Sequence, residues 1–272
     1  MTNNDNLNTN WRKVAAAVYK KPTDAKILGS VEIDVTDIEE YISKKRKEGL
    51  RITLTHIFTL IIARALKEDV PELNVSVVRG KVIPRSSIEA SVSVLLRDNQ
   101  LSSVKVPDAD KMTLKELADF LFQGIKESRK GSENKTMKMK GLLGSIPWPF
   151  RGWIFRFFKM LTIDLGFSIP SLGLSSSSFG SFVISNIGSL GLEAGFPALF
   201  PVSNVSFVMI LGGVDTRPWV VDGKIVPRRI LWLGTAIDHR AADGFHGGKL
   251  FRYIREVLND IEQLERKPSW CE

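Results

Sequence analysis

The stretch Asp238-His239-Arg240-Ala241-Ala242-Asp243-Gly244 holds the residue types in this chain best suited to chemistry. Imidazole titrates near neutral pH, so a histidine can take and return a proton under ordinary conditions. His239 is therefore a candidate general base, with an acid, Asp243, four residues on, and Gly244 is expected to permit a tight turn into the next helix. A second chemistry competes for the same residues. His239, Asp243 and His246 stand at i, i+4 and i+7, a spacing that could turn three zinc ligands to one face of a helix. Gly244, Gly247 and Gly248 argue against a well-formed ligand helix across that span, so no metal is expected and His246 reads as a surface or helix-packing residue. The plainest reading is a turn with a solvated histidine.

The elements around the stretch give it a place. Ile230 to Ile237 is a near-continuous apolar run and reads as a buried strand. Leu250, Ile254, Val257, Leu258, Ile261 and Leu264 recur at helical spacing and describe an amphipathic C-terminal helix. His239 thus stands where a strand stops, on a loop that a rigid scaffold can aim.

Upstream, Trp11 to Tyr19 reads as a short helix and Ala25 to Val35 as a strand. Thr36 and Glu39 form a capping-box pattern for a helix to about Lys47, and Thr113 and Glu116 form another for a helix to about Arg129. Thr53 to Lys67 is apolar nearly all round and reads as a buried helix, with His56 as a satisfied core residue. Leu73 to Val78 and Lys81 to Pro84 flank Arg79-Gly80 as a hairpin. Ile88 to Leu96 alternates as a half-buried strand, and Leu101 to Val106 is another. Asn204 to Gly213 and Trp219 to Val226 are further strands, the latter around a turn at Asp222-Gly223.

The bulk numbers narrow the class. The 272 residues are 43% hydrophobic and 25% charged, enough apolar material for one large core. A single cysteine, Cys271, excludes an intramolecular disulfide and fits a reducing cytoplasm. No run of about 18 uncharged apolar residues exists, so a spanning helix is not expected. The net charge of +8 suits an anionic partner: nucleic acid, a membrane surface or an acidic small substrate. Lys44 to Lys47 and Lys126 to Lys130 lie beside acids and read as solvated helix faces, and no nucleic-acid motif is present.

The signature Asp-His-Arg-x-x-Asp-Gly resembles that of the catalytic domain of the dihydrolipoyl acyltransferases of 2-oxoacid dehydrogenase complexes. Chloramphenicol acetyltransferase and its other relatives usually show His-His-x-x-x-Asp-Gly, and Asp238 and Arg240 favour the dihydrolipoyl type. Trp11 to Phe122, with Val31-Glu32-Ile33-Asp34-Val35 and Pro71-Glu72-Leu73-Asn74, is similar to the N-terminal half of that domain; Phe179 to the C-terminus is similar to the second half. The resemblance implies an α/β, chloramphenicol-acetyltransferase-like mixed sheet with flanking helices, assembled as a trimer. It implies acyl transfer between coenzyme A and a dihydrolipoyl-type thiol or another nucleophile, with His239 as general base, Ser185 as oxyanion donor across a subunit boundary, and Asp243 as a structural acid paired with a cation such as Lys20 or Arg12. Coenzyme A enters as substrate, with no metal. The lipoyl and subunit-binding domains that precede the family's core are not in the sequence, so the expectation is a stand-alone domain over residues 11–272 after a disordered arm at 1–10, with any lipoyl group supplied by another protein.

Two stretches depart from the family. Asp98 to Val106 stands where a Gly-Leu-hydrophobic-hydrophobic-Pro run is usual, so acceptor specificity does not carry over. About 40 residues, 136–175, replace a short charged loop. Within that insert Trp148, Phe150, Trp153, Phe155, Phe157 and Phe158 interleave with Arg151, Arg156 and Lys159, the pattern of an interfacial amphipathic helix. A helix packed on the core or on a second copy, and a lid over a long acyl chain, are the competing readings. Gly141, Gly144, Pro147, Pro149 and Gly152 suggest turns, and Ser175 to Ser178 a flexible joint. The alternatives to a cytoplasmic thiol acyltransferase are a membrane-peripheral acyltransferase for a lipid or other hydrophobic acceptor, contacting the bilayer through residues 148–160; a non-catalytic trimeric scaffold; and an antibiotic-modifying acetyltransferase, disfavoured because no second histidine precedes His239.

Overall fold

Residues of period two build a six-stranded mixed sheet, and residues of helical period cover one of its faces. The computed structural model describes residues 27–95, 101–129, 147, 150–169, 175–200 and 203–271. In chain order β1 (Ile27–Asp34) leads into α1 (Thr36–Lys47) and α2 (Leu54–Glu68), followed by the hairpin β2 (Val75–Val78) and β3 (Lys81–Pro84). Strands β4 (Ala90–Leu95) and β5 (Leu101–Val106) precede α3 (Leu114–Arg129) and α4 (Phe150–Lys159). Then come β6 (Phe182–Asn186), β7 (Phe207–Val221), β8 (Lys224–Ile237) and α5 (Gly244–Leu258). The sheet order is β1-β8-β7-β6-β4-β5, with β4, β6 and β7 parallel and the other pairings antiparallel. The expected mixed α/β architecture is therefore present. The expected helix at Trp11 to Tyr19, the arm at 1–10 and the cations Arg12 and Lys20 lie outside the described residues.

One face of the sheet carries the main core. Phe182 and Ile184 of β6, Phe207, Met209 and Leu211 of β7, and Leu231 and Leu233 of β8 pack there beneath α2, α3 and α5. From Ile57 to Leu66 every residue of α2 is buried, as its all-round apolar sequence predicts. The charged exception is Arg64. Its guanidinium is buried but donates to the carbonyls of Met112, Gln263 and Arg266 at 3.2, 3.0 and 2.7 Å, which joins α2 to the loop before α3 and to the C-terminal turns.

Several local expectations need correction. Asn204 to Gly213 and Trp219 to Val226 are parts of one long hairpin, because β7 continues to Val221 and turns at Asp222-Gly223, both at positive φ (50° and 75°). The tip beyond Ile230 is a two-stranded ribbon, since β1 pairs with β8 only from Ile230 onward and β6 pairs with β7 only as far as Leu211. The first capping box does not form. Thr36 Oγ1 donates to Asp34 Oδ1 at 2.6 Å, and Glu39 instead accepts from Arg229 Nε at 2.7 Å. The second one does form: the Thr113 amide donates to Glu116 at 2.8 Å and the Glu116 amide to Thr113 Oγ1 at 3.3 Å. Ser175 to Ser178 is a bonded turn, with Ser177 Oγ accepting from Arg85 at 2.7 Å and Ser177 O from Lys105 at 3.0 Å. Gly152 lies inside α4. The C-terminal helix ends at Leu258, and Ile261 and Leu264 reach the core from a following 3₁₀ segment.

At the start of α2, His56 Nδ1 lies 2.7 Å from Thr53 Oγ1. Burial, and after it the nearby positive charge of Arg46, push the imidazole down from 6.5 to about 4. The unfolded chain therefore binds this proton first as pH falls. Stability that is complete above 6.5 should drain away as pH drops towards about 4, by at most about 3 kcal/mol from this group. Chemical denaturation of wild type and His56→Gln across that window should show a smaller pH slope in the variant; equal slopes would remove His56 as the cause.

Candidate active site

The signature loop is shaped by the two residues that flank its histidine. β8 ends at Ile237, and residues 239–241 form a turn closed on the Asp238 carbonyl. Asp238 and Arg240 both turn inward, with side chains 7% and 9% exposed, and His239 turns out at 29%. The buried pair is bidentate: Arg240 Nε donates to Asp238 Oδ1 at 3.0 Å and Nη2 to Oδ2 at 2.6 Å. The Arg240 amide adds a third bond to Oδ1 at 3.0 Å. The Asp238 carbonyl accepts from the Ala241 and Ala242 amides at 2.9 and 3.1 Å, and the Asp238 amide donates to Ser206 O at 2.8 Å. The polar bonds that close the turn thus run through Asp238. Ala241 packs with Val75, Val77 and Val82 of the β2–β3 hairpin, while Ala242 enters the main core.

His239 Nδ1 lies 3.1 Å from Ala242 O and 3.3 Å from Asp243 Oδ1. Both neighbours are acceptors, which favours the tautomer with the proton on Nδ1 and makes Nε2 the basic nitrogen. Asp243 caps α5, and His246 completes the box by accepting the Asp243 amide on Nδ1 at 3.0 Å. His246 is therefore a capping residue at N3, a role hidden in the sequence because glutamate or glutamine usually fills it. The helix runs intact through Gly247 and Gly248, so the glycines do not break it. His239 precedes the helix, which removes the shared ligand face with His246, and among the described residues no cluster of three or more His, Cys, Asp or Glu is placed to hold a metal. Gly244 also differs from expectation. Its φ is not positive and nothing lies within 4 Å of where a Cβ would stand. The close approach belongs to Gly247, whose Cβ would meet Ile237 Cδ1 at 2.9 Å.

Ser185 lies elsewhere in the sheet. Phe182, Phe207 and Ile237 are level with one another across β6, β7 and β8, and Ser185 is three residues further along β6. That is about 10 Å along the strand, and His239 continues away in the opposite direction. One copy of the chain does not bring the two side chains together. Ser185 shares the second face of the sheet with Val183, which packs with Leu199, Val205, Val208 and Ala236. This face is thinly covered, and Leu190, Leu192, Phe196 and Phe200 beside it are exposed.

Beyond Ser185, Asn186 donates from Nδ2 to Thr55 Oγ1 at 3.3 Å and accepts the Ser189 amide at 3.0 Å, which ties the end of β6 to α2. A cleft of about 510 Å³ opens there between Asn186 and the ends of α1 and α2, with Arg46, Lys47 and Thr53 among its lining residues. Lys44, Arg46 and Lys47 are exposed, as a solvated face requires, and Arg46 also donates to Ile52 O at 2.9 Å. Charge alone could not separate a cleft wall from a solvated face.

The Asp238–Arg240 pair generates a prediction. Removing one partner leaves the other charge buried, which typically costs about 3–5 kcal/mol. Asp238→Asn and Arg240→Lys should each lower the melting temperature. Arg240→Lys should do so despite conserving charge, because lysine cannot supply the two-pronged contact. A melting temperature unchanged in Arg240→Lys would count against the pair as the loop's main tie.

Residues 171–265 match the family of 2-oxoacid dehydrogenases acyltransferase (catalytic domain). The lipoamide acyltransferase component of the branched-chain alpha-keto acid dehydrogenase complex of Bacillus subtilis is 24% identical over 240 residues, covering 86% of this chain and 46% of that protein. The chain thus spans less than half the length of that relative. A probable dihydrolipoamide acetyltransferase from Listeria monocytogenes superposes with a TM-score of 0.64 at 21% identity, covering 86% of this chain and 84% of that one. Chloramphenicol acetyltransferase superposes at 0.53 and 12% identity, covering 91% and 94%. Residues 171–265 thus match the catalytic domain of the 2-oxoacid dehydrogenase acyltransferases, and the chain as a whole has the chloramphenicol-acetyltransferase-like fold and is similar to the dihydrolipoyl acyltransferases over most of its length.

Proposed function

We propose that this chain transfers an acyl group between coenzyme A and a dihydrolipoyl thiol, in a site completed by two copies of itself. The observation that carries the reading is the His239 ring, oriented by Ala242 O at 3.1 Å so that Nε2 is the basic nitrogen. Nε2 takes the proton from the attacking thiol, and the thiolate adds to the thioester carbonyl. The Ser185 hydroxyl of a neighbouring copy donates to the resulting oxyanion. Collapse breaks the original carbon–sulfur bond, and the departing sulfur recovers the proton from the imidazolium. Asp243 acts structurally, through the helix cap and its 3.3 Å approach to His239.

Separation of His239 from Ser185 along the sheet supports a shared site, and the thin cover on the Ser185 face supports a homotrimer that would bury Leu190, Leu192 and Phe196. The cleft beside Asn186, with Arg46 and Lys47, suits the phosphates of coenzyme A. The lipoyl group would arrive on a separate protein. The exposed thiol of Cys271 fits a reducing cytoplasm. A second reading, with a lipid or other hydrophobic acceptor and peripheral membrane contact, draws on the exposed aromatic side chains of α4. A non-catalytic scaffold gains nothing from the oriented imidazole.

Acyl-coenzyme A and dihydrolipoamide, with thiol release as readout, test the chemistry. His239→Ala should lower turnover by about 10²–10⁴ and Ser185→Ala by about 10²–10³. Mixing the two inactive variants should restore activity, because about a quarter of sites in randomly mixed trimers pair the two intact groups. Transfer that survives His239→Ala would sink the reading, and a mixture no better than its parts would sink the shared site.

A further inference from the structure

We propose that the face of α4 formed by Phe150, Trp153, Phe157 and Met160 docks on an anionic phospholipid bilayer, and that this holds the His239 loop in a fixed relation to the membrane surface. At about 100° per residue these four side chains fall within about 80° of the helix circumference. They are 55%, 61%, 53% and 42% exposed. Ile154 and Phe158, on the flank next to Phe150, are half-buried and mark where the helix rests, while Phe155, opposite the stripe, is 41% exposed. Arg156 borders the stripe and Lys159 lies beyond it, the arrangement of a helix that lies in the headgroup plane with its rings at the acyl boundary.

The charge of the segment selects the occupant. From Asn134 to Ile163 the sequence contains six lysines and arginines and no aspartate or glutamate. Cations without interspersed acids suit a surface of negative headgroups, which would gain from each of them. The isologous contact of a second copy would instead bring like charges together. No helix among the described residues is long and apolar enough to cross a membrane, and α4, at ten residues, is of a length to lie on one.

The helix is tied to the rest of the chain through its C-terminal end. A π turn from Met160 to Asp164 follows it, with Thr162 and Ile163 buried. The Arg79 amide donates to Asp164 O at 2.8 Å and Arg79 Nε to Leu165 O at 3.1 Å. Gly166, at φ 78°, lies so close to the hairpin that a Cβ would meet Val78 Cγ1 at 2.7 Å. Val75, Val77 and Val82 of that hairpin in turn pack on Ala241, two residues from His239. The path from membrane-facing helix to signature loop is one turn and one rigid hairpin. Docking does not depend on the acyl-transfer reading; the orientation of His239 gives that reading a hydrophobic acceptor reached from the bilayer side.

Flotation of the full chain with vesicles of phosphatidylcholine, and of phosphatidylcholine mixed with phosphatidylserine, tests the docking. The chain should float with the anionic vesicles and not the neutral ones. Trp153→Ala combined with Phe157→Ala, and Arg156→Glu combined with Lys159→Glu, should each cut the bound fraction about tenfold or more, with melting temperature unchanged because Trp153, Arg156 and Phe157 are exposed and Lys159 is only half-buried. His239→Ala should float as wild type does, which separates this test from that of catalysis. Absence of flotation, equal binding to both vesicles, or full binding by both double variants would overturn the proposal. A change of oligomeric state in the aromatic variant without vesicle binding would overturn it too, and assign the face to a contact between copies.

Discussion

The Asp238–Arg240 pair is the contact on which the candidate site depends. Two opposite charges at i and i+2, both removed from water, can be satisfied in few ways, and the fork of Arg240 on the carboxylate is one of them. Once that geometry is set, the residue between them has nowhere to go but outward. The carbonyl of Asp238 then closes the turn on Ala241 and Ala242, and Ala242 O receives His239 Nδ1. A buried ion pair is a poor source of net stability, since desolvation consumes much of its attraction. Here it specifies direction: it turns a strand end into a platform for an imidazole of one tautomer.

The two faces of the sheet divide the remaining work. The helix-covered face carries the main core, with α2 buried along most of its length. The other face carries Ser185 and is only partly covered by the loop after β6, where Phe196 meets Trp232 edge to face at 5.3 Å. The core thus lies on one side of a single layer, and the assembly proposed above would use the other, so that a site between copies would not break the core. The insert has a third position. Its described helix and turn, residues 150–169, are tied to the β2–β3 hairpin beside Ala241.

Much of the fold was legible in the sequence. Near-continuous apolar runs announce α2 and the end of β8, because elements buried on all sides need no alternation. Arg79-Gly80 and Asp222-Gly223 announce hairpins, since both central residues of such turns take positive φ and few residue pairs accept it. The placement of His239 at a strand end before a helix follows from local pattern alone. The capping-box signal was right at Thr113 and wrong at Thr36, where Asp34, Arg228 and Arg229 compete for the same side chains, the two arginines from a strand distant in sequence.

By itself, then, the sequence determined the elements, their order, the buried strand leading to the signature and the charge and aromatic content of the insert. These are properties of neighbours along the chain, set by side-chain period and turn chemistry. Only the tertiary structure decided that Asp238 and Arg240 face each other in the interior, that His246 caps its own helix, and that Gly247 rather than Gly244 is the position where backbone and side chain crowd. It alone decided that Ser185 and His239 lie at opposite ends of the sheet, because strand register depends on pairing between segments far apart in sequence. It also decided which side of α4 is left outward, since a helix with aromatic residues almost all round does not specify from its own sequence which of them will find a neighbour.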